Sequence, residues 1–216
     1  MIIAPGSTLL FAGDSITDCG RARPIGESAF GGLGTGYVSL VDAYLKVKWG
    51  QSRIRVQNMG VGGNTVRDLS ARWDDDVLDL EPDWVCVMIG INDVWRQFDR
   101  FLEVETHVRL PEYRSTLNSL VGMAKDKCQG VVVMSPFFAE PNTDDPMRAL
   151  MDEYGASAME IANLNDAIFV DIQGELDALM VHVPPMAFAW DRIHLSTAGH
   201  MMIATAFLEA VRALSA

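Results

Sequence analysis

A serine directly behind an apolar run, and an aspartate three residues before a histidine near the far end of the chain, are the residue types of nucleophilic acyl chemistry. Gly13-Asp14-Ser15-Ile16-Thr17-Asp18 follows the run Thr8–Ala12, and Asp191-Arg192-Ile193-His194 precedes the last amphipathic stretch. A serine hydroxyl is a weak nucleophile until a base takes its proton. An imidazole serves as that base when a carboxylate fixes its tautomer and stabilises its cation. Asp191 and His194 are close enough for both side chains to come from one loop or helical turn. Acyl transfer also needs donors aimed at the developing oxyanion. Gly60-Val61-Gly62-Gly63-Asn64-Thr65 and Gly90-Ile91-Asn92-Asp93 offer them. Gly63, without a Cβ, lets a backbone N–H come close to a ligand, and Asn92 carries a neutral amide. Each block also has an ordinary reading. Ser15 is then a cap or turn residue, the glycines make a tight turn, Asn64 or Thr65 caps a helix, and Asn92 ends a strand. Those readings leave unexplained why Ser15, Gly63, Asn92 and the Asp191/His194 pair all follow the carboxyl ends of expected strands.

The elements that must position them follow from apolar spacing. Strands are expected at Thr8–Ala12, Arg53–Gln57, Trp84–Ile89, Val131–Met134 and Ile168–Asp171. Between them lie helices at about Tyr37–Lys48, Thr65–Leu80, Glu112–Lys125 and Met147–Ala162, with a terminal helix over Thr197–Leu214. Strand-helix alternation of this kind predicts an α/β domain whose parallel sheet is covered on both faces, a three-layer α/β/α arrangement. No linker or composition shift divides residues 1–216, so one domain is expected. Ligands in such sheets bind beyond the carboxyl strand ends, where three long loops are expected: Asp18–Gly36, Asn92–Pro111 and His182–Leu195.

Composition narrows the partners. With 17 Lys and Arg against 29 Asp and Glu, the 216-residue chain carries a net charge of -12. That charge repels phosphate backbones, anionic lipid surfaces and polyanionic polymers, so neither nucleic acid nor membrane is an expected partner. A small neutral ligand remains open. No apolar stretch approaches membrane-spanning length. Cys19, Cys86 and Cys128 are odd in number and widely spaced, as free thiols of a reducing compartment are. The first residues lack a basic segment and an apolar core, which also points to the cytoplasm. His194 and His200 lack a third ligand at metal spacing, so no metal is expected. Glycines 31, 32, 34 and 36 make no dinucleotide fingerprint, and no cofactor is expected.

Taken in order, Gly-Asp-Ser-Ile-Thr, Gly-Gly-Asn-Thr, Gly-Ile-Asn-Asp and the late Asp-x-x-His resemble the blocks of the SGNH (GDSL) hydrolase superfamily, over residues 9–200. The resemblance implies Ser15 as nucleophile, His194 as general base and Asp191 as its orienting partner. It implies an oxyanion hole of the Ser15 N–H, the Gly63 N–H and the Asn92 amide, and a flavodoxin-like strand order 2-1-3-4-5. Residues 13–24, 88–97 and 189–200 are similar, more narrowly, to intracellular bacterial acetylxylan esterases of that superfamily, often homo-oligomers. Those enzymes deacetylate xylose units of short oligosaccharides without a metal. Trp95 and Trp190 are then candidate platforms for a sugar face, and Arg21, Arg23 and Arg96 candidate ligands of hydroxyls or the ester carbonyl. The ordinary reading of each tryptophan is core packing. Two rivals stand beside this expectation. One is another esterase of the superfamily, a lysophospholipase or acyl thioesterase, which needs an apolar acyl channel. The other is a non-catalytic carbohydrate-binding protein on the same fold.

Overall fold

Runs rich in Val, Leu and Met alternate with amphipathic ones, and the computed structural model, which describes residues 1–28 and 30–214, turns that alternation into five parallel strands. They are β1 (Thr8–Gly13), β2 (Arg55–Gly60), β3 (Trp84–Met88), β4 (Gly130–Met134) and β5 (Ile168–Val170), in the order β2-β1-β3-β4-β5. Every residue of β3 and β4 is buried, because helices cover both faces of the sheet. The helices are α1 (Ser15–Asp18), α2 (Tyr37–Trp49), α3 (Val66–Ala71), α4 (Trp73–Asp76), α5 (Ile91–Asp99), α6 (Leu110–Lys127), α7 (Pro146–Leu164), α8 (Ile172–Met180) and α9 (Thr197–Ala210). α2 and α8 pack on α9, while α6 packs on α3 and α7. Two such groups are what right-handed crossovers place on opposite faces.

Register decides where the site must lie. Gly13 pairs with Gly60 on one side and with Met88 on the other, so β1, β2 and β3 end level with one another. The chain leaves β1 towards β2 and returns past it to β3, which makes this rim the topological switch point, where a crevice opens. Gly13 also lets α1 sit directly on the rim. A Cβ there would lie 2.4 Å from the Met88 carbonyl oxygen and 2.4 Å from Thr17 Oγ1.

Several boundaries differ from the sequence expectation; the expected terminal helix Thr197–Leu214, for one, ends at Ala210. β2 begins at Arg55 because a 3-10 turn over Gly50–Ser52 ends with Arg53 in the left-handed region, at φ 51°. The expected helix Thr65–Leu80 is broken into α3, α4 and a 3-10 turn over Leu78–Leu80. Its apolar spacing is continuous, but Arg72 leaves helical geometry to reach Gly13 O, Met59 O and Asn64 Oδ1. The expected loop Asn92–Pro111 begins with α5, whose Ile91, Val94 and Phe98 carry helical spacing. α8 has no counterpart among the expected helices, and the expected strand residue Asp171 is its N-cap, accepting from the Gly174 N–H.

Candidate active site

Asp14 shapes the turn out of β1. Its carboxylate caps α1 by accepting from the Ile16 N–H at 2.9 Å, which leaves Ser15 as the first helical residue, half-buried at the rim. Ser15 Oγ lies 3.1 Å from His194 Nε2, and His194 Nδ1 lies 2.6 Å from Asp191 Oδ2. The other Asp191 oxygen accepts from the backbone N–H groups of Ile193 at 3.0 Å and His194 at 2.7 Å. Burial by itself would raise the Asp191 carboxyl. The hydrogen bonds from the His194 ring and the two backbone N–H groups outweigh it and hold the carboxyl below its ordinary range. An ionised Asp191 keeps the proton on His194 Nδ1 and leaves Nε2 as the acceptor facing Ser15. The arrangement is a hydroxyl, a base and an orienting carboxylate joined in one hydrogen-bonded chain.

The donors stand beside it. Gly62 lies close enough to Ser15 that a Cβ on Gly62 would be 3.9 Å from the Ser15 Cβ. Gly63 has φ 81°, a conformation that glycine adopts without strain. Among the described residues, the N–H groups of Ser15 and Gly63 have no hydrogen-bond acceptor. The Asn92 side chain is buried in the first turn of α5, and its Nδ2 donates to the Asn64 carbonyl at 3.0 Å. Asn92 does not end β3, because Gly90 at φ 134° turns the chain into α5 before it. The structure thus gathers Ser15, Gly63, Asn92, Asp191 and His194 at one rim.

Several side chains that hold these groups were not singled out in the sequence. Asp18 closes α1 and accepts from the Gly62 N–H at 3.0 Å and from Arg23 at 2.6 Å, tying the glycine loop to the serine helix. Arg72 ties Gly13, Met59 and Asn64 together. Asp93 is buried and accepts from the Val66 N–H, which joins the start of α3 to that of α5. Burial pushes Asp93 up to about 8 and Asp14 up to about 7. His200 is also buried, which lowers it to about 4 and keeps its ring neutral. The Tyr37 N–H donates to its Nδ1, and its Nε2 faces Cys19 Sγ at 3.4 Å. Any protein reader of the sequence could have noticed that Asp18, Arg72 and Asp93 stand within a few residues of the site blocks. Nothing in their spacing shows which backbone group each one reaches.

Among the five expected sugar contacts, the structure separates two. Arg21 is buried and its guanidinium is committed to the carbonyls of Gly60, Ala22 and Pro24, so it braces the loop and does not face solvent. Burial lowers its guanidinium to about 10. Arg96 donates to Asn92 Oδ1 at 3.1 Å and to Asp99, within its own helix. Arg21 is thereby not free to take a sugar hydroxyl, whereas Arg96 spends two of its five N–H donors in this way. Trp190, by contrast, is 75% exposed, which overturns core packing as its role. Trp95 is half-buried and meets the His194 ring edge-on, with centroids 6.1 Å apart. Arg23 keeps an exposed ion pair with Asp18.

A cavity of about 400 Å³ opens beside Ser15 and His194, walled by Cys19, Thr35, Ser196, Thr197 and His200 together with Ile16 and Leu195. A larger hollow of about 620 Å³ lies before β3 and β4, among Asp79, Glu81, Asp83 and Gln129, at the opposite strand ends. Among the described residues no group of three or more His, Cys, Asp or Glu gathers to hold a metal ion, and no helix is long and apolar enough to cross a membrane.

Sheet order and site together define a class: α/β proteins that carry a serine–histidine–aspartate chain at the carboxyl rim of a flavodoxin-like sheet. Residues 11–202 match the model of the GDSL-like lipase/acylhydrolase family, and the chain belongs to that family. It is 52% identical over 211 residues to an acetylxylan esterase of Geobacillus stearothermophilus, covering 98% of this chain and 96% of that one. The crystal structure of that enzyme, Axe2, superposes with a TM-score of 0.96. The crystal structure of LAE5, an alpha/beta hydrolase enzyme from the metagenome of Lake Arreo, Spain, is 47% identical with a TM-score of 0.97, each chain being covered in full.

Proposed function

We propose that the chain, as one SGNH hydrolase domain over residues 1–216, is a serine esterase that removes acetyl groups from acetylated xylo-oligosaccharides through an acyl-enzyme. The observation that carries this reading is the hydrogen-bonded chain from Ser15 Oγ through His194 to Asp191. Ser15 attacks the acetyl carbonyl while His194 Nε2 takes its proton. The tetrahedral oxyanion is held by the Ser15 N–H, the Gly63 N–H and the Asn92 amide. His194 then protonates the departing sugar oxygen, and the ester bond to the sugar breaks. Water, deprotonated by His194, attacks the acetyl-Ser15 ester and releases acetate, returning the proton to Ser15.

Three further observations support the substrate. The 52%-identical relative is named an acetylxylan esterase, and its catalytic mutants carry S15A, D191A and H194A, where this chain has Ser15, Asp191 and His194. The cavity beside Ser15 has polar and apolar wall in near-equal share, with Thr35, Ser196 and Thr197 facing Ile16 and Leu195. A long acyl chain gains about 0.8 kcal/mol per methylene only from apolar surroundings, and a wall that is about half polar supports a short one. Trp95 stands against His194 and the exposed Trp190 is next in sequence to Asp191, and flat rings suit the apolar face of a sugar. The three unpaired thiols suit a reducing compartment, which supports placing the enzyme in the cytoplasm. The adjacent exposed Phe101 and Leu102 support its working as a homo-oligomer, which light scattering in solution tests.

Initial rates on p-nitrophenyl acetate and octanoate, with Ser15→Ala as control, test the reaction class. The expected result is fast acetate cleavage, little octanoate cleavage and an inactive control. A preference for octanoate would move the reading to a lysophospholipase or thioesterase, and equal rates in both proteins would remove Ser15 as nucleophile.

A further inference from the structure

An amide side chain has two different ends, and an oxyanion hole needs only one of them. With its Nδ2 towards the developing charge, Asn92 is a donor; turned by half a rotation, its Oδ1 would repel that charge. The amide is gripped at both ends. Its Oδ1 accepts from the Arg96 guanidinium at 3.1 Å, and its Nδ2 donates to the Asn64 carbonyl at 3.0 Å. A guanidinium has no acceptor and a carbonyl oxygen has no donor. The turned amide would face donor to donor at one end and acceptor to acceptor at the other. One Nδ2–H is spent on Asn64 and the other is left for the ligand.

Arg96 is itself held still. Its other arm pairs with Asp99 one turn along α5, and its Cζ lies over the Trp95 ring, 4.3 Å from the centroid. The same ring meets His194 edge-on. The Arg96 side chain is only 17% exposed, so its charge is poorly screened where it touches the amide. A charge-assisted hydrogen bond to Oδ1 also draws electron density through the amide and makes the remaining N–H a stronger donor.

We propose that Arg96 is a positioning residue for the esterase reaction: it fixes and polarises the Asn92 amide as oxyanion donor, and does not bind the sugar. The inference rests on the reading of Asn92 under the proposed function. It separates cleanly from a sugar-binding role, because p-nitrophenyl acetate has no sugar to bind.

The test measures kcat and KM for wild type, Arg96→Ala, Arg96→Lys, Asn92→Ala and the Asn92→Ala/Arg96→Ala double variant. The substrates are p-nitrophenyl acetate and acetylated xylo-oligosaccharides. Misplacing a reacting group by about 1 Å costs up to about 100-fold, so Arg96→Ala should lower kcat by about 10- to 100-fold on both substrates, with KM changed less than about twofold. Arg96→Lys, which keeps a donor within reach of Oδ1, should recover part of that loss. The double variant should be no slower than Asn92→Ala alone, since Arg96 acts through that amide. Should Arg96→Ala fail to fold, Arg96→Met keeps the apolar stem over Trp95 without the donors and takes its place. A loss confined to KM on the sugar substrate would overturn the proposal and return Arg96 to sugar binding. So would a double variant that multiplies the two single losses. An Asn92→Ala enzyme as fast as wild type would instead bring down the oxyanion reading, and this inference with it.

Discussion

The Ser15 hydroxyl is an ordinary alcohol whose reactivity depends on two neighbours, 3.1 Å away at His194 Nε2 and, through that ring, at Asp191. Removing one oxyanion donor typically costs about 10²–10³ in turnover. Asn92→Ala should therefore lower kcat by about that factor while the melting temperature moves by only a few degrees; steady-state kinetics beside calorimetry checks both. Asp191→Asn should lower kcat by about 10³–10⁴, because the amide favours the wrong imidazole tautomer. Adding His194→Ala to it should cost little beyond the more severe single loss, because the chain acts as a unit. These residues were legible in the sequence because their types define a chemistry and Ser15, Gly63 and Asn92 come soon after strand ends; Asp191 and His194 instead follow α8, in the loop before α9. The bracing residues were not. Arg21, Arg96, Asp18 and Arg72 are all charged residues near site blocks, and only the folded backbone decides which carbonyl or N–H each one meets.

Elements carry the site through their ends. Gly13 is required where α1 rests on β3, since a methyl group would meet the Met88 carbonyl oxygen and Thr17 Oγ1 at 2.4 Å. Overpacking of that kind costs about 1–3 kcal/mol, so Gly13→Ala should lower the urea midpoint by a corresponding amount at unchanged slope. Asp93 sets a pH dependence on the joint between α3 and α5. Burial keeps its proton bound up to about pH 8, whereas the unfolded chain releases it near 3.8. The native state binds more protons than the unfolded one between those values, so this group's contribution to stability falls as pH rises through that window. Asp93→Asn, neutral throughout, should come nearest to wild type near pH 4 and melt increasingly higher than wild type as pH rises to about 9. A melting-temperature difference independent of pH would contradict the burial argument. At this scale the sequence was most legible where apolar periodicity was long, as in α6 and α7. It misled where one polar residue interrupted a continuous apolar pattern, as Arg72 does between α3 and α4. The nine-residue helices α5 and α8 were missed, although Ile91, Val94 and Phe98 already had helical spacing.

Over the whole molecule, five parallel strands and a switch point between β2, β1 and β3 bring residues 15, 63, 92 and 194 to one rim. Alternation of strands and helices made the parallel sheet and its carboxyl rim legible, whereas the strand order that sets the switch point was implied by the family resemblance. The net charge of -12 sets a further expectation. A neutral acetylated sugar is not steered by charge, so its kcat/KM should change by less than about twofold between low salt and roughly physiological ionic strength. A steep salt dependence in stopped-flow or steady-state assays would point to a charged substrate. The most direct measurement is acetate released from acetylated xylo-oligosaccharides by the intact protein and by Ser15→Ala. The account predicts steady acetate release by the first and only background from the second. Sugar left acetylated by the wild-type protein, or equal release by the variant, would contradict it.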